Sequence, residues 1–259
     1  MVFDHAAEQL RDLGHEVQVS PADLSELDLT EYDFVYSNKA VQEKFRNAVS
    51  TVAGLNLPRA KELQLLEEYD IPTMRWGLAP NRLDLLTKFL DWRTRRILLK
   101  RSYTFGGEGV TAFSPWHIAI LRWNKDLDIM CSVVNYDDGD IWKAELLNGE
   151  LLISWVSRHP PIKELQGYQL VSGFDGAYGD RERVELPQSL VERVKSLSNR
   201  LTEMGIGHIS VDFMRDAEGE LRAIEFNTCF PAMWWTSQFE DFPQRHTHAL
   251  TQLIAANSV

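Results

Sequence analysis

Cysteine is nearly absent from this chain. Cys131 and Cys229 are its only two in 259 residues. They lie far apart, so a disulfide scaffold is excluded, and two buried thiols or one lone bridge remain. No C-x-x-C, H-E-x-x-H or Walker A pattern occurs, which leaves zinc and P-loop chemistry without support. No apolar run approaches the roughly 20 residues a membrane span needs, and no secretory leader opens the chain. A reducing cytoplasm is the expected location, with no membrane partner. Positive charge is also scarce: 27 Lys and Arg face 38 Asp and Glu, for a net charge of −11. Nucleic-acid binding needs a basic stripe, and none is visible. A single nucleotide needs only a few local cations and stays open.

What remains is an ordinary globular composition, 44% apolar and 25% charged, without low complexity or repeats. The length suits one or two domains. Residues 4–14 read as an amphipathic helix closed by Gly14, and 16–20 and 33–37 as short strands. This is an α-β-loop-β unit of an open parallel sheet. Such sheets usually begin with a strand, and here the chain begins inside the first helix; either the first strand is absent or the start is truncated. Residues 40–55 read as a helix, 57–76 as a helix then a strand entered through Ile71-Pro72, and 83–92 as a helix. Residues 95–102 read as a strand leading to a glycine-rich loop at 103–113. A short helix near 116–124 and a strand at 128–136 follow. Asn148-Gly149 centres a hairpin over 142–158, the strongest local hairpin signal in the chain. Residues 159–186 read as a long loop, in which Arg181 and Arg183 either offer guanidinium groups to a carboxylate or are ordinary surface arginines. Residues 186–205 carry Leu190, Val194, Leu197 and Leu201 at helical spacing. A last helix near 244–256 closes the chain; His246 and His248 lack a third ligand nearby and read as a solvated helix start.

The stretch 208–227, HISVDFMRDAEGELRAIEFN, turns at Glu218-Gly219 between two alternating runs. Ile209, Val211 and Phe213 share an apolar underside with Ile224 and Phe226. The other face carries Ser210, Asp212 and Met214 opposite Ala223, Glu225 and Asn227. A turn centred between 218 and 219 sets Asp212 directly across from Glu225. Like charges so placed repel, which a hard cation on three oxygen-bearing side chains would relieve, Mg²⁺ or Mn²⁺. Taken alone, the hairpin favours the plainer reading, a solvated acidic face.

The rest of the chain changes that balance. The strand RRILLK delivers Lys100 to the mouth of GGEG, residues 106–109. Glycines let a loop fold over phosphates and offer backbone N–H groups, and a lysine at the strand end adds a point charge. The ordered set is Lys61, I-P-T, Lys100, a glycine-rich loop, a hairpin ending at Arg158, then Asp212, Glu225 and Asn227. This order resembles the ATP-grasp superfamily over roughly residues 58–231, especially its carboxylate–amine ligases. D-alanine–D-alanine ligases, glutathione synthetases and ribosomal-protein glutamate ligases are the comparisons.

The resemblance implies an α+β/α/β chain. An ATP-grasp domain at 58–259 would hold two α+β subdomains gripping ATP, with a glycine-rich-loop subdomain at 58–135 and a metal-binding subdomain at 136–259. A short, trimmed α/β segment at 1–57 would precede it. Lys61 and Lys100 would contact phosphates, and Gly106, Gly107 and Gly109 would belong to a lid over them. Asp137 would meet the ribose, although a polar turn before Gly139 explains it equally. Asp212, Glu225 and Asn227 would hold Mg²⁺ or Mn²⁺. Arg158 would stabilise developing charge together with Lys143, which stands where relatives carry an arginine. The matching hinge, near Cys131-Ser132, lacks the usual acidic residue. The implied reaction activates a carboxylate as an acyl phosphate with ATP and couples it to an amine. The substrates would be small molecules or peptides, with a homodimer allowed. An ATP-dependent phosphotransferase, a carboxylate–thiol ligase and a nucleotide-binding module without turnover are the alternatives.

Overall fold

The computed structural model describes residues 2–20, 28, 31–40, 50–55, 57–78, 81–93, 97–102, 110–113, 127–132, 137–159, 181–228 and 239–257. Helix α1 spans Val2–Asp12. It is followed by a two-stranded parallel sheet of β1, Phe34–Ala40, and β2, Ser50–Gly54. Residues 16–20 form no strand. The expected helix over 40–55 is wrong at its end, because Ser50–Gly54 lies alongside β1 as a strand. A short apolar run bounded by glycine suits either state, and pairing with β1 decides it.

Helix α2, Arg59–Glu68, leads through Ile71-Pro72 to β3, Trp76–Leu78. Helix α3, Arg82–Trp92, starts at Asn81, whose side chain accepts from the N–H groups of Leu83 and Asp84. Strands β4, Ile97–Arg101, β5, Val110–Phe113, and β6, Leu127–Ser132, then complete a four-stranded sheet in the order β3-β6-β4-β5. The glycine-rich residues 103–109 and the helix expected near 116–124 lie outside the described residues.

The second sheet has five strands in the order β11 (Leu221–Asn227), β10 (His208–Arg215), β7 (Ile141–Leu147), β8 (Glu150–Ser157) and β9 (Arg181–Arg183). Strands β7, Ile141–Leu147, and β8, Glu150–Ser157, meet at Asn148-Gly149 with φ of 53° and 75°, the positive pair that such a tight turn requires. A side chain at Gly149 would collide with Asn199. Strand β9, Arg181–Arg183, is a short edge inside what the sequence reads as loop. Helix α4, Gln188–Glu203, covers one face of the sheet. Leu190, Val194, Leu197 and Leu201 pack on Ala144, Leu146, Val156, Ile209, Val211 and Phe213. Each fully buried aliphatic side chain of this kind contributes about 1.5–3 kcal/mol.

Strands β10, His208–Arg215, and β11, Leu221–Asn227, form the last hairpin. Helix α5, Phe242–Asn257, packs with α1 on the opposite face of the sheet, over Leu147, Ile153 and Trp155. His246 is not solvated. It is fully buried against Phe3, Tyr36 and Phe242, and burial, then the neighbouring His208 and His5, push its pKa down to about 3. Among the described residues no helix is long and apolar enough to cross a membrane.

Candidate functional site

The pleat of the five-stranded sheet sends odd positions of β10 to α4 and even positions to the other side. His208, Ser210 and Asp212 therefore share a face, and their cross-strand partners bring Lys143 and Glu145 from β7 and Glu225 and Asn227 from β11. Asp212 pairs with Glu225 and Ser210 with Asn227, as the alternating pattern predicts. Beyond Asp212 the register slips: Phe213 pairs with Ala223, and Ile224 is an extra, bulged residue. The slip corrects the expected faces, because Ala223 turns into the core and is fully buried. It also aims the Ile224 carbonyl at the other sheet, where Lys100 Nζ donates to it at 3.3 Å. Bulges commonly re-aim groups beside functional sites.

Three further tethers fix this junction. The Arg59 backbone N–H, at the start of α2, donates to the Ser102 carbonyl just beyond β4 at 2.8 Å. The Ile71-Pro72-Thr73 segment runs beside β11: Ala223 N–H donates to Pro72 at 2.7 Å and Met74 N–H to Ala223 at 3.0 Å. The start of α2, the end of β4 and the bulged strand thereby converge.

A cluster of charge results. The Arg59 guanidinium lies 2.5 Å from Glu62 and 3.3 Å from Glu225. Lys100 Nζ stands 3.9 Å from the same Glu225 oxygen, and the Asn227 amide donates to the other at 3.4 Å. Lys143 Nζ sits 2.9 Å from Asp212 and 5.7 Å from the Trp155 ring centroid. Deeper along the same face, Ser210 donates to the fully buried Glu145 at 3.1 Å.

The carboxylates differ in proton affinity. Burial alone would raise Glu225, but Arg59, then Lys100 and Lys143, hold it down at about 2. Burial raises Asp212 to about 6 against the pull of Lys143, with Glu225 adding repulsion. Glu62 rises to about 8, from burial first, and Arg59 offsets only part of this. One guanidinium cannot serve both carboxylates equally, and Glu225 has the lysines as well. Lys143 and Arg59 are both raised: burial opposes the charge, but Asp212, Glu145 and Glu225 together outweigh it for Lys143, and Glu225 with Glu62 for Arg59.

Among the described residues no group of three or more His, Cys, Asp or Glu is gathered for a metal ion. The set here is two carboxylates and an amide. Oxygen donors of this kind suit a hard divalent cation, and Asp212 Oδ1 is buried with no hydrogen-bond partner among the described residues. A buried acceptor left in that state is costly unless something binds it.

Of the residues singled out from sequence, Lys100, Lys143, Asp212, Glu225 and Asn227 come together. Lys61 does not join them. It is exposed and pairs with Glu68 at 3.6 Å. Arg158 is also exposed, bound to Asp140 at 2.7 Å and Glu182 at 2.5 Å. Asp137 is exposed ahead of β7. Gly106, Gly107 and Gly109 lie outside the described residues. Sequence reasoning missed Arg59 and Glu62, although a signal existed. Positions 59, 62, 63 and 66 fall on one helical face, and Leu63 and Leu66 on it are fully buried. Residue 61 points elsewhere.

At the far edge of the same sheet an open cavity of about 420 Å³ is lined by Arg183, Phe239, Glu240, Asp241 and Gln244. Arg183, Trp155, Lys143, Asp212 and Glu225 form one cross-strand row. The cavity thus lies three strand spacings, roughly 14 Å, from Asp212. Its arginine pairs with Asp241, and no carboxylate oxygen of its lining is buried without a hydrogen-bond partner as Asp212 Oδ1 is. The cluster, not this cavity, is the candidate site.

No known family profile matches the chain, and no curated protein matches it significantly in sequence. Solved structures do match, and the chain shares their mixed α+β ATP-grasp fold. D-cycloserine synthetase DcsG superposes with a TM-score of 0.65 at 14% identity, covering 97% of this chain and 95% of that one. The ATP-grasp ligase PsnB, complexed with minimal precursor, Mg and ADP, gives 0.64 at 12%, covering 97% and 94%. D-Alanine–D-alanine ligase from Bacillus anthracis, complexed with ATP, gives 0.58 at 16%, covering 99% and 93%. At such identity the likeness carries the fold alone.

Proposed function

We propose that the chain is an ATP-dependent ligase that activates a carboxylate as an acyl phosphate and couples it to an amine, forming an amide or peptide bond. The observation that carries this is the junction of the two sheets. Arg59, Lys100 and Lys143 there surround two carboxylates from different strands, and a buried Asp212 oxygen is left for a cation. Support comes from PsnB and the Bacillus anthracis ligase, whose structures hold Mg with ADP, and ATP.

In this reading Asp212, Glu225 and Asn227 hold Mg²⁺ or Mn²⁺, which supplies neutralisation of phosphate charge. Lys100 and Arg59 bind phosphate oxygens, so the contact read from sequence for Lys61 passes to Arg59. Lys143 and Arg158 stand beside the charge that develops as the substrate carboxylate attacks the terminal phosphorus and ADP leaves. Gly106, Gly107 and Gly109 cover the phosphates and Asp137 meets the ribose. The domains are 1–57 and 58–259, the second divided near 135. The substrates are small-molecule or peptide carboxylates and amines, the location is cytoplasmic and a homodimer is allowed. A second reading, a nucleotide-binding module without turnover, is favoured by one observation: Arg158 is already engaged by two carboxylates at the surface.

The test is nucleotide turnover with Mg-ATP and pools of amino acids and small peptides, resolving ADP from AMP. Substrate-dependent ADP is expected. AMP would sink the acyl-phosphate mechanism, and bound ATP with no turnover would select the second reading. Glu225→Gln is expected to lower turnover by more than about a hundredfold, beyond the loss typical of outer-shell changes, with circular dichroism unchanged.

A further inference from the structure

The cluster is neutralised from within, and that observation reaches beyond the reading above while resting on it. Every carboxylate expected to hold the divalent cation already has a cation of the chain beside it. Lys143 stands 2.9 Å from Asp212, and Arg59 and Lys100 stand 3.3 Å and 3.9 Å from Glu225. Among the described residues the same three cations are the ones at hand for phosphate. They cannot serve both partners at once. Glu62 differs from the other acids, since its ion pair is with Arg59 at 2.5 Å, on the same helix. Both are buried, and the Arg59 backbone is pinned to Ser102.

We infer that Arg59, Lys100 and Lys143 are resident counter-ions that exchange partners when nucleotide enters, with Glu62 as the positioning residue that keeps Arg59 in the site throughout. Before exchange the cations lie on Glu225 and Asp212. After it the cations lie on phosphate oxygens, and the carboxylates are released to the divalent ion. Metal alone can reach the unpartnered Asp212 Oδ1 but not the oxygens held by the cations of the chain, so it gains little while those ion pairs stand. Nucleotide alone would have to strip the carboxylates of their cations and leave two like charges facing each other across the hairpin. Metal and nucleotide are therefore required together, and the cations enforce this.

The experiment measures Mn²⁺ binding to the full chain without nucleotide, by the free-Mn²⁺ electron paramagnetic resonance signal. Lys143→Met is expected to tighten Mn²⁺ binding about tenfold or more over wild type, because Asp212 loses its competing cation. Adding Glu225→Gln to it should remove the gain, which locates the ion. Lys100→Met, at the longer distance and should Lys143→Met fold poorly, is expected to give a smaller gain of the same sign. Unchanged or weaker Mn²⁺ binding in both lysine variants overturns the inference and leaves the ligase reading intact, provided wild type binds labelled Mg-ATP in equilibrium dialysis. Failure of wild type to bind Mg-ATP overturns both. For Glu62, replacement by Ala is expected to raise KM for ATP severalfold at little cost in kcat, and Glu62→Gln, which still accepts from Arg59, to restore it. Equal defects in the two variants would overturn the positioning role.

Discussion

Two regions of this molecule use the same residue types at nearly the same distances. At the sheet junction Arg59, Lys100 and Lys143 bind Glu62, Glu225 and Asp212. At the far end of the sheet Arg158 binds Asp140 and Glu182, and Arg183 and Arg245 bind Asp241. In the junction the side chains are mostly buried, with Arg59 and Lys100 at 6% exposure. In the outer network the arginines are 46–53% exposed. Distance alone therefore says little. In water an ion pair is screened and nearly neutral in free energy. Out of water the same pair is held by mutual need, and losing one partner strands the other.

The largest expected effect breaks the buried side. Arg59→Ala leaves Glu62 and Glu225 without their shared cation and is expected to destabilise the fold by about 3–5 kcal/mol, read from urea unfolding. The next sharpens the difference through pH. Glu62 has a folded pKa of about 8 against 4.5 for a glutamate in water, so the unfolded chain releases that proton first as pH rises. Its contribution is fully present below the unfolded value and is lost as pH climbs towards 8. Glu62→Gln should abolish that loss, so the variant becomes more stable than wild type near pH 8 by on the order of 3 kcal/mol. Unfolding curves at pH 5 and pH 8 check it; equal pH slopes would refute it.

On the exposed side the expected effects shrink. Arg158→Ala should shift the melting temperature by no more than about 2 °C yet lower turnover by about tenfold or more if the residue faces the developing charge. Parallel calorimetry and turnover separate the two. Arg245→Ala, at the outer edge of the network, should change stability by less than about 0.5 kcal/mol and leave turnover unchanged.

Local patterns carried much of the molecule. Alternation over 208–227 set Asp212 against Glu225, and Asn148-Gly149 announced its turn, because strand pleat and positive φ are properties of a few neighbouring residues. Where the pattern was local but weak, it misled. Residues 50–54 pair with β1 as a strand, and 16–20 form none, because short apolar runs take their state from what they pack against. The bulge at Ile224 was invisible too. The turn closes through Asp216, whose carboxylate accepts from the N–H groups of Glu218 and Glu220, and this shifts the pairing near the turn by one residue.

The sequence by itself determined the order of the charged residues, the hairpin that faces two carboxylates, and the resemblance in fold that the superpositions bear out. Only the tertiary structure decided which cation meets which acid. It chose Arg59 over Lys61, set Lys143 on Asp212, and drew Lys100 to the bulged carbonyl of Ile224. The reason is physical. Helix and strand periods are written in neighbouring residues, but an ion pair between α2, β4, β7 and β11 depends on where four separated segments are anchored.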